Sequence, residues 1–573
     1  MREQTHAVEF CVVGGGLAGL CAAVAAARQG VRVALMHDRP VLGGNASSEV
    51  RMWVCGAHGP NNRETGILEE IQLDNLYRNP AASYSLWDSI LYEKARFQEN
   101  LTLLLNCSCT SLEMAGRRIR SVRGWQTTTQ TWHTVEAELF ADCSGDSVLA
   151  PLSGADFRVG REAAHEFGES IEPAEADRKT MGMSCLIQAR EMETPQPFIP
   201  PAWAYVYPTD DDLPHRAHDL GSNFWWIELG GEDDSIYDTE QVRDELLKVA
   251  FGVWDHVKNR GDHGAENWTL DWVGFLPGKR ESRRYLGDHI LTQNDVRAEG
   301  RFADLVAYGG WSLDDHHPGG MRYPGPPTIF HQAPSPFGIP YRCLYSRNVE
   351  NLFFAGRNIS ATHAALSATR VMATCAILGQ AVGTAAVLAA RDGLTPRGVA
   401  REGAPELQQL RMEDDCYLPW KEREVPARTR GAVLTAAEGD PEPLRNGVDR
   451  PVGEADNGWT GRLGTWVQYA FAEPTRVREC RFVFDSDLNR PRLNMPCSYP
   501  LRREPHAVPA TLVRSARVEA RDPAGNWATV ARVVDNHQRL VRLPLDVQTT
   551  ALRFVPEQTW GAEQAHLFAW DVR

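Results

Sequence analysis

Six residues near the N-terminus, Gly14-Gly15-Gly16-Leu17-Ala18-Gly19, restrict the folds open to this chain more than any other segment. Before them, Val8–Val13 is an apolar run of strand length. After them, Leu20–Gln29 is rich in Ala and predicts a helix ended by Gly30, and Val31–Met36 predicts a second strand. Strand, G-x-G-x-x-G turn, helix and strand together make a βαβ dinucleotide-binding unit. Gly14 permits the tight turn, Gly16 lets backbone approach a pyrophosphate, and Gly19 lets helix and strand pack closely. The helix N-terminus offers amide donors and the positive end of its dipole. The second strand of such a unit ends in an acid that holds a ribose hydroxyl. His37 stands at that place and Asp38 follows. Asp38 is the expected ligand; if His37 faces the ribose instead, Asp38 is a solvated turn residue.

The second strand leads to Arg39-Pro40-Val41-Leu42-Gly43-Gly44-Asn45-Ala46-Ser47-Ser48-Glu49-Val50-Arg51. Here the sequence resembles the glutathione-reductase-like FAD oxidoreductases, and among them the FAD-dependent oxidoreductase family related to the flavoprotein subunits of fumarate reductase and succinate dehydrogenase. The resemblance implies FAD as cofactor. It implies that Gly43 and Gly44 admit close backbone approach along the flavin pyrophosphate and ribityl chain. Arg39, Asn45, Ser47 and Ser48 are expected cofactor contacts in the same loop. Ala141-Asp142-Cys143-Ser144-Gly145-Asp146 resembles the family's second flavin segment, which implies Gly145 and Asp146 at the cofactor. Asn351-Leu352-Phe353-Phe354-Ala355-Gly356-Arg357 resembles its C-terminal flavin strand and turn, with Gly356 and Arg357 at the cofactor. Many relatives carry an acid after that glycine; Arg357 departs from the pattern. A long apolar helix over Ala368–Ala390, containing Gly379, Gln380 and Gly383, is expected to aim its N-terminus at the flavin, and Gln380 is counted among the contacts.

The expected fold class is α/β: a split Rossmann-like FAD-binding domain (8–155 and 340–395) with an inserted α+β substrate domain (156–339), plus a C-terminal all-β sandwich (459–573). Residues 396–458 read as an extension and linker. Leu101–Leu105 reads as a strand, and Arg117–Trp125 with Trp132–Phe140 as a hairpin. In the insert, Thr239–Asn259 has helical spacing at Leu246, Leu247, Ala250 and Trp254, with Asp238 or Thr239 as cap. Trp203–Tyr207 and Phe224–Leu229 read as strands. Near the C-terminus, short alternating segments and a Gly525-Asn526 turn predict the sandwich. Its final pattern resembles discoidin or galactose-binding-like domains, which implies either sugar binding or a structural role.

Sixty Lys and Arg against 75 Asp and Glu give a net charge of −15. Such a surface repels phosphate backbones, so nucleic acid is not an expected partner. Twelve scattered Cys fit a reducing, cytoplasmic location. No metal set is identified: His316-His317 is an isolated pair, and Glu232-Asp233-Asp234 reads as a solvated face. The N-terminus has no basic leader pattern. No uncharged apolar run of 18 residues is expected, and hence no membrane span.

The flavin carries the redox chemistry, so the chain must bind, orient and tune it. His363, in the polar loop after the C-terminal flavin strand, is the expected base. Arg283, in the cationic block Lys279–Tyr285, is expected to orient substrate, with Arg284 close behind it. Arg51 follows the Gly-Gly loop and is the third catalytic candidate; Glu49, His58 and Arg370 are weighed beside these. The leading reading is an FAD-dependent oxidoreductase that transfers a hydride between a small polar substrate, a sugar or polyol hydroxyl, and flavin. The alternatives are a reductase of an unsaturated carboxylic acid, and a carbohydrate-binding protein with a structural flavin. The small molecule is the expected partner; the electron acceptor and homo-oligomerisation stay open.

Overall fold

The computed structural model describes residues 2–491, 494–499 and 506–573, so Met1 and parts of the expected sandwich range lie outside it. The chain forms two compact units: Met1–His58, Ala82–Leu407 and Arg492–Pro505 in the first, and Gly59–Ala81, Gln408–Pro491 and His506–Arg573 in the second. Both expected flavin pieces and the insert thus share one unit. The expected linker is divided between the units, and Gly59–Ala81 leaves the flavin span for the second.

In the first unit, β1 (Arg2–Val13) leads through α1 (Leu17–Arg28) to β2 (Val33–Met36). Strand β3 (Leu101–Leu104) follows, then the antiparallel β4 (Cys107–Ala115), β5 (Arg118–Gln126) and β6 (Thr131–Asp142). The last strand, β7 (Leu352–Phe354), returns from far along the chain. The sheet order is β3-β2-β1-β6-β5-β4, with β7 on β6. Strands β1, β2, β3 and β7 run parallel to their partners, and Val13, Met36, Asp142 and Phe354 fall in register at their carboxyl ends. Ligands of open α/β sheets bind in the crevice beyond those ends. Strand β1 begins six residues before the expected Val8. Its opening residues are largely exposed and pair with the hairpin arm Thr131–Val135, a contact that leaves no apolar run to read.

The insert carries α2 (Thr239–Asp255), which continues as a π-helical turn, His256–Arg260. Asp238 is its N-cap residue but makes no side-chain cap bond. Met183, Ile187, Trp226, Leu246, Val253 and Trp254 share one buried cluster. Trp203–Tyr207 forms no strand, and of Phe224–Leu229 only Glu228–Leu229 pairs. Aromatic residues favour strands by packing, and here they pack in irregular segments instead.

Helix α3 (Met372–Asp392) corrects one expectation. Val371–Ala390 is 20 residues without a charge, and α3, with a mean hydropathy of 1.7, is long and apolar enough to cross a membrane. It is instead an interior helix, with 89% of that stretch buried. It lies against α1, itself buried from Leu17 to Ala27. A Cβ at Gly379 would stand 1.9 Å from the Ala18 carbonyl oxygen, and one at Gly383 2.2 Å from that of Ala22. Two glycines one helical turn apart therefore set the approach of the helices.

The second unit is built around the expected C-terminal β-sandwich, formed from one curled antiparallel sheet. Its strands are β8 (Val433–Ala436), β9 (Trp459–Arg462), β10 (Val467–Phe484), β11 (Val513–Arg521), β12 (Trp527–Val533), β13 (Leu540–Thr559) and β14 (Gln564–Val572). The order is β9-β14-β10-β13-β11-β12, with β8 on β10. The expected short strands fuse into the long β10 and β13, whose register shifts at Ala470/Thr475 and Val477/Glu479. Such irregularities bend a strand and let one strand serve both layers. Tyr469, Phe482, Phe554 and Trp570 fill the core, joined by Leu73 of the helix Ile67–Arg78.

Gly379→Ala should lower the stability of the full chain by about 1–3 kcal/mol through overpacking. Gly403→Ala, whose Cβ meets nothing nearer than 3.5 Å, should stay within about 0.5 kcal/mol. Denaturant midpoints of the two variants check this.

Candidate cofactor and substrate site

The first unit contains a cavity of about 1080 Å³, at the upper end of the range typical of ligand sites. Gly14, Gly15, Gly16, Asp38, Arg39, Gly43, Gly44, Asn45, Gly145, Asp146, Gly356 and Arg357 line one part of it. The glycine loop is locked from behind. Gly14 has φ +105°, and a Cβ there would meet the Cys143 backbone at 2.4 Å; one at Gly19 would meet the Gly14 carbonyl oxygen at 1.8 Å. Toward the cavity the loop is open: a Cβ at Gly16 would meet only the Gly44 Cα, at 4.0 Å. Helix α1 starts at Gly16 with no side-chain cap and no acid in its first turn. Its leading amides, which no intrahelical carbonyl can satisfy, remain available to a pyrophosphate. This bare backbone cradle fits a dinucleotide.

His37 braces the cradle. The Gly15 amide donates to its Nδ1 at 2.9 Å, and its Nε2–H donates to the Val41 carbonyl at 3.0 Å. Burial lowers its pKa, in keeping with the neutral ring these bonds require. His37 therefore faces the loop, and Asp38, half-exposed, is left at the cavity wall. Asp142 fixes the second segment: its carboxylate accepts from the Ser144 and Leu149 amides and from the Tyr285 hydroxyl, the last at 2.7 Å. The turn so held presents Gly145 and Asp146. Asp146 takes Arg357 at 2.7 Å and Lys279 at 2.9 Å. Burial works against its charge, but the two cations outweigh it and hold the carboxyl well below the usual range. Arg357 thus answers an acid from the neighbouring segment.

Trp225, Trp311, Phe275, Phe330, Asn223, Ser184, Arg280, Asp314, His316 and Arg370 line the rest. The last four, with Glu228, form one ionic chain. Nδ1 of His316 donates to Glu228 at 2.7 Å, and its Nε2 lies 3.3 Å from Asp314 Oδ2. Arg280 pairs with Glu228 at 3.2 Å and donates to Ser184 at 2.8 Å. Arg370 pairs with Asp314 at 2.9 Å. Burial pushes both carboxyls up, yet Arg280 and His316 hold Glu228 below its ordinary value, and His316 and Arg370 do the same for Asp314. Strand alternation arranges this: Asp314 and His316, two apart on the strand Leu313–His316, share a face.

Asp315, on the other face, points to His363. That ring is buried, 2.8 Å from Glu281 and 3.3 Å from Asp315. Burial opposes its charge, but Glu281, Asp315 and Glu172 prevail and keep its pKa well above the usual histidine value. A ring so held is a cation, and it does not line the cavity. The structure therefore does not place His363 where a base is needed. Arg283 does not line the cavity either; it reaches Tyr237 and the Asp146 carbonyl. Arg51 lies between the Tyr84 and Trp272 rings and donates to Gln188 at 2.8 Å. Arg284 pairs with the buried Glu162. Ser47, Ser48, Gly19 and Gln380 also stand behind the wall; the Ser48 amide donates to Asp88. Glu49, His58 and Arg370 do line it. In the sequence, Asp314 and Glu228 carry no motif of their own, Arg280 lies inside the cationic block Lys279–Tyr285 without standing out from it, and His316 reads as half of an isolated pair. The alternation Asp314-x-His316 was the available signal.

The acid nest around His363 gives a pH prediction. Glu172 is 8% exposed, and both its carboxyl oxygens lack a hydrogen-bond partner among the described residues. Burial raises it to about 7 against the pull of His363, with Glu162 and Glu169 adding to the rise. The folded chain therefore keeps a proton that the unfolded chain releases near 4.5. Stability falls as pH rises from there to about 7, and the full cost stands above pH 7. Glu172→Gln should exceed the parent by roughly 1–3 kcal/mol at pH 8, and the difference should vanish near pH 4.5. Unfolding midpoints across that range test it.

The curated proteins contain no match to the chain. Solved structures match parts of it. The THI4 protein of Thermovibrio ammonificans is 19% identical with a TM-score of 0.22, over 30% of this chain and 76% of that one. The myxobacterial chondrochloren halogenase CndH, described as a new variant of FAD-dependent halogenases, is 15% identical with a TM-score of 0.22, over 34% and 46%. The family 32 carbohydrate-binding module of Streptococcus pneumoniae EndoD is 13% identical with a TM-score of 0.19, over 25% and 97%. None of the three says what this chain acts upon. The model of the family described as FAD dependent oxidoreductase matches residues 9–411, a span that holds every cradle segment described above. The chain belongs to the FAD dependent oxidoreductase family.

Proposed function

We propose that this oxidoreductase oxidises a hydroxyl of a neutral polyhydroxylated substrate, a sugar or polyol. The observation that carries the reading is His316, at the cavity wall between Glu228 and Asp314. Oxidation of an alcohol removes a hydride from carbon and a proton from oxygen. Bound FAD supplies the two-electron acceptor. The chain's own residues handle the proton. With Nδ1–H fixed on Glu228, His316 has Nε2 as its exchanging nitrogen; once its proton has left to solvent through the cavity, a substrate hydroxyl that displaces the longer contact to Asp314 meets the Nε2 lone pair. Glu228 then stabilises the imidazolium.

Charge balance and wall chemistry support a neutral substrate. Arg280 and Arg370 are answered by Glu228 and Asp314, so neither is a spare clamp for a carboxylate. This weighs against reduction of an unsaturated acid. Trp225, Trp311 and the exposed Phe275 and Phe330 offer flat apolar faces to sugar C–H groups, while Asn223 and Ser184 offer hydrogen bonds.

Anaerobic addition of sugars and polyols should bleach the oxidised flavin band near ~450 nm. His316→Asn should slow that bleaching by about 10²-fold or more with bound flavin unchanged, whereas Arg283→Ala should leave its rate constant within about threefold. If no sugar or polyol bleaches the band and an unsaturated acid reoxidises the chemically reduced protein, the reading fails.

A further inference from the structure

Three histidines and an aspartate converge in the insert, away from the cavity. Asp210, His218, His256 and His263 each offer one ligand atom, and these atoms all lie within 4.8 Å of one another. Asp210 Oδ1 is 3.1 Å from His256 Nε2, 3.7 Å from His218 Nε2 and 3.8 Å from His263 Nε2. The Nε2 atoms of His256 and His263 are 3.2 Å apart. Four ligands about 2.0–2.1 Å from a tetrahedral ion stand about 3.3–3.4 Å from one another, and the four distances bracket that edge. We propose that these residues form a structural zinc site of the His₃Asp type.

The protonation pattern supports a cation. His256 Nδ1 donates to the Tyr207 carbonyl at 2.9 Å, and His218 Nδ1 donates to the Arg216 carbonyl at 2.6 Å. In the neutral rings Nε2 therefore carries the lone pair, and both rings turn it toward the same point. These backbone carbonyls orient the rings as outer partners of zinc-bound histidines do. A proton on one nitrogen satisfies one contact, whereas a divalent ion at the centre satisfies all four donors. Two backbone features serve the convergence. The π-helical turn His256–Arg260 closes α2 at the first ligand; such turns recur at functional sites. A Cβ at Gly261 would lie 2.1 Å from His263 Nε2, so a glycine there makes room for the ring. His256 is fully buried, His218 and His263 are mostly buried, and Asp210 closes the site from the solvent side.

Four protein ligands leave no open position, so the ion is structural. It ties the segment around Asp210 and His218 to the end of α2. From there the chain reaches Asn223 and Trp225 of the cavity wall, and Trp226 is bonded back to the Ala217 carbonyl at 2.8 Å. Elemental analysis of the full-length, FAD-loaded protein should find about one zinc per chain. X-ray absorption at the zinc edge should show only nitrogen and oxygen neighbours, near ~2.0–2.1 Å. His263→Ala should weaken zinc binding at least about tenfold, with flavin absorbance retained. If that variant does not fold, Asp210→Ala carries the test, because the Asp210 side chain is 72% exposed. Chelator-treated protein that takes up no equimolar zinc overturns the proposal. So does zinc retained undiminished in the variants that fold, or sulfur in the zinc shell.

Discussion

The flavin-binding unit depends on backbone packed against backbone where no side chain fits. Gly14 abuts Cys143, Gly19 abuts the Gly14 carbonyl, and Gly379 and Gly383 abut Ala18 and Ala22. These contacts join three stretches of chain that are hundreds of residues apart. They pin the N-terminus of α1 at the carboxyl ends of the parallel strands, where the amides are needed. The same contacts make α3 an interior helix, although its composition alone would let it sit in a membrane. Apolar length does not decide a helix's surroundings; the glycines that let α1 approach it do.

Charge inside the unit is distributed on an equally strict pattern. The cationic block from Lys279 to Arg284 looks from the sequence like one clamp. Successive side chains in fact go to different partners. Lys279 meets Asp146, Arg280 meets Glu228, and Arg284 meets Glu162. Interposed Glu281 meets His363. Each buried cation of this block is matched, because an unpaired one costs several kcal/mol of desolvation. What remains for a substrate is an aromatic wall and a histidine whose two nitrogens meet carboxylates of unequal closeness.

The cradle was legible in the sequence because its chemistry needs local spacing. Gly14, Gly16, Gly43, Gly44, Gly145, Asp146, Gly356 and Arg357 sit in short motifs, and all eight line the cavity. The sandwich was legible as alternation, though not the fusion of its short segments into β10 and β13, which depends on bends between them. The ionic chain on the far wall was mostly not legible. Glu228, Arg280, Arg370 and the pair Asp314 and His316 come from four places; Arg370 is weighed from its position after the flavin strand, and only Asp314 and His316 carry a local pattern, on a strand too polar to read as one. His363 was singled out because its segment follows the flavin strand. Its environment, three acids from the insert, is a property of the tertiary fold.

The histidines make the general point. His37, His316, His363 and His256 have the same side chain and different surroundings, distinguished by what stands at hydrogen-bond distance and by whether the ring reaches the cavity. A backbone amide on Nδ1 makes His37 a neutral brace. Two carboxylates and a buried position make His363 a fixed cation. His316 meets two carboxylates at nearly the same distances, 2.7 and 3.3 Å, but it lines the cavity, which His363 does not. A backbone carbonyl on Nδ1, with two more imidazoles and an acid converging on Nε2, leaves His256 a lone pair aimed at a shared centre. Most of these partners lie on segments remote in sequence or on an irregular turn; Asp314, two residues before His316 on one strand, is the exception. A motif can reveal where a flavin binds, since backbone spacing makes that cradle. The role of an imidazole is decided only when the fold has chosen the neighbours of both its nitrogens.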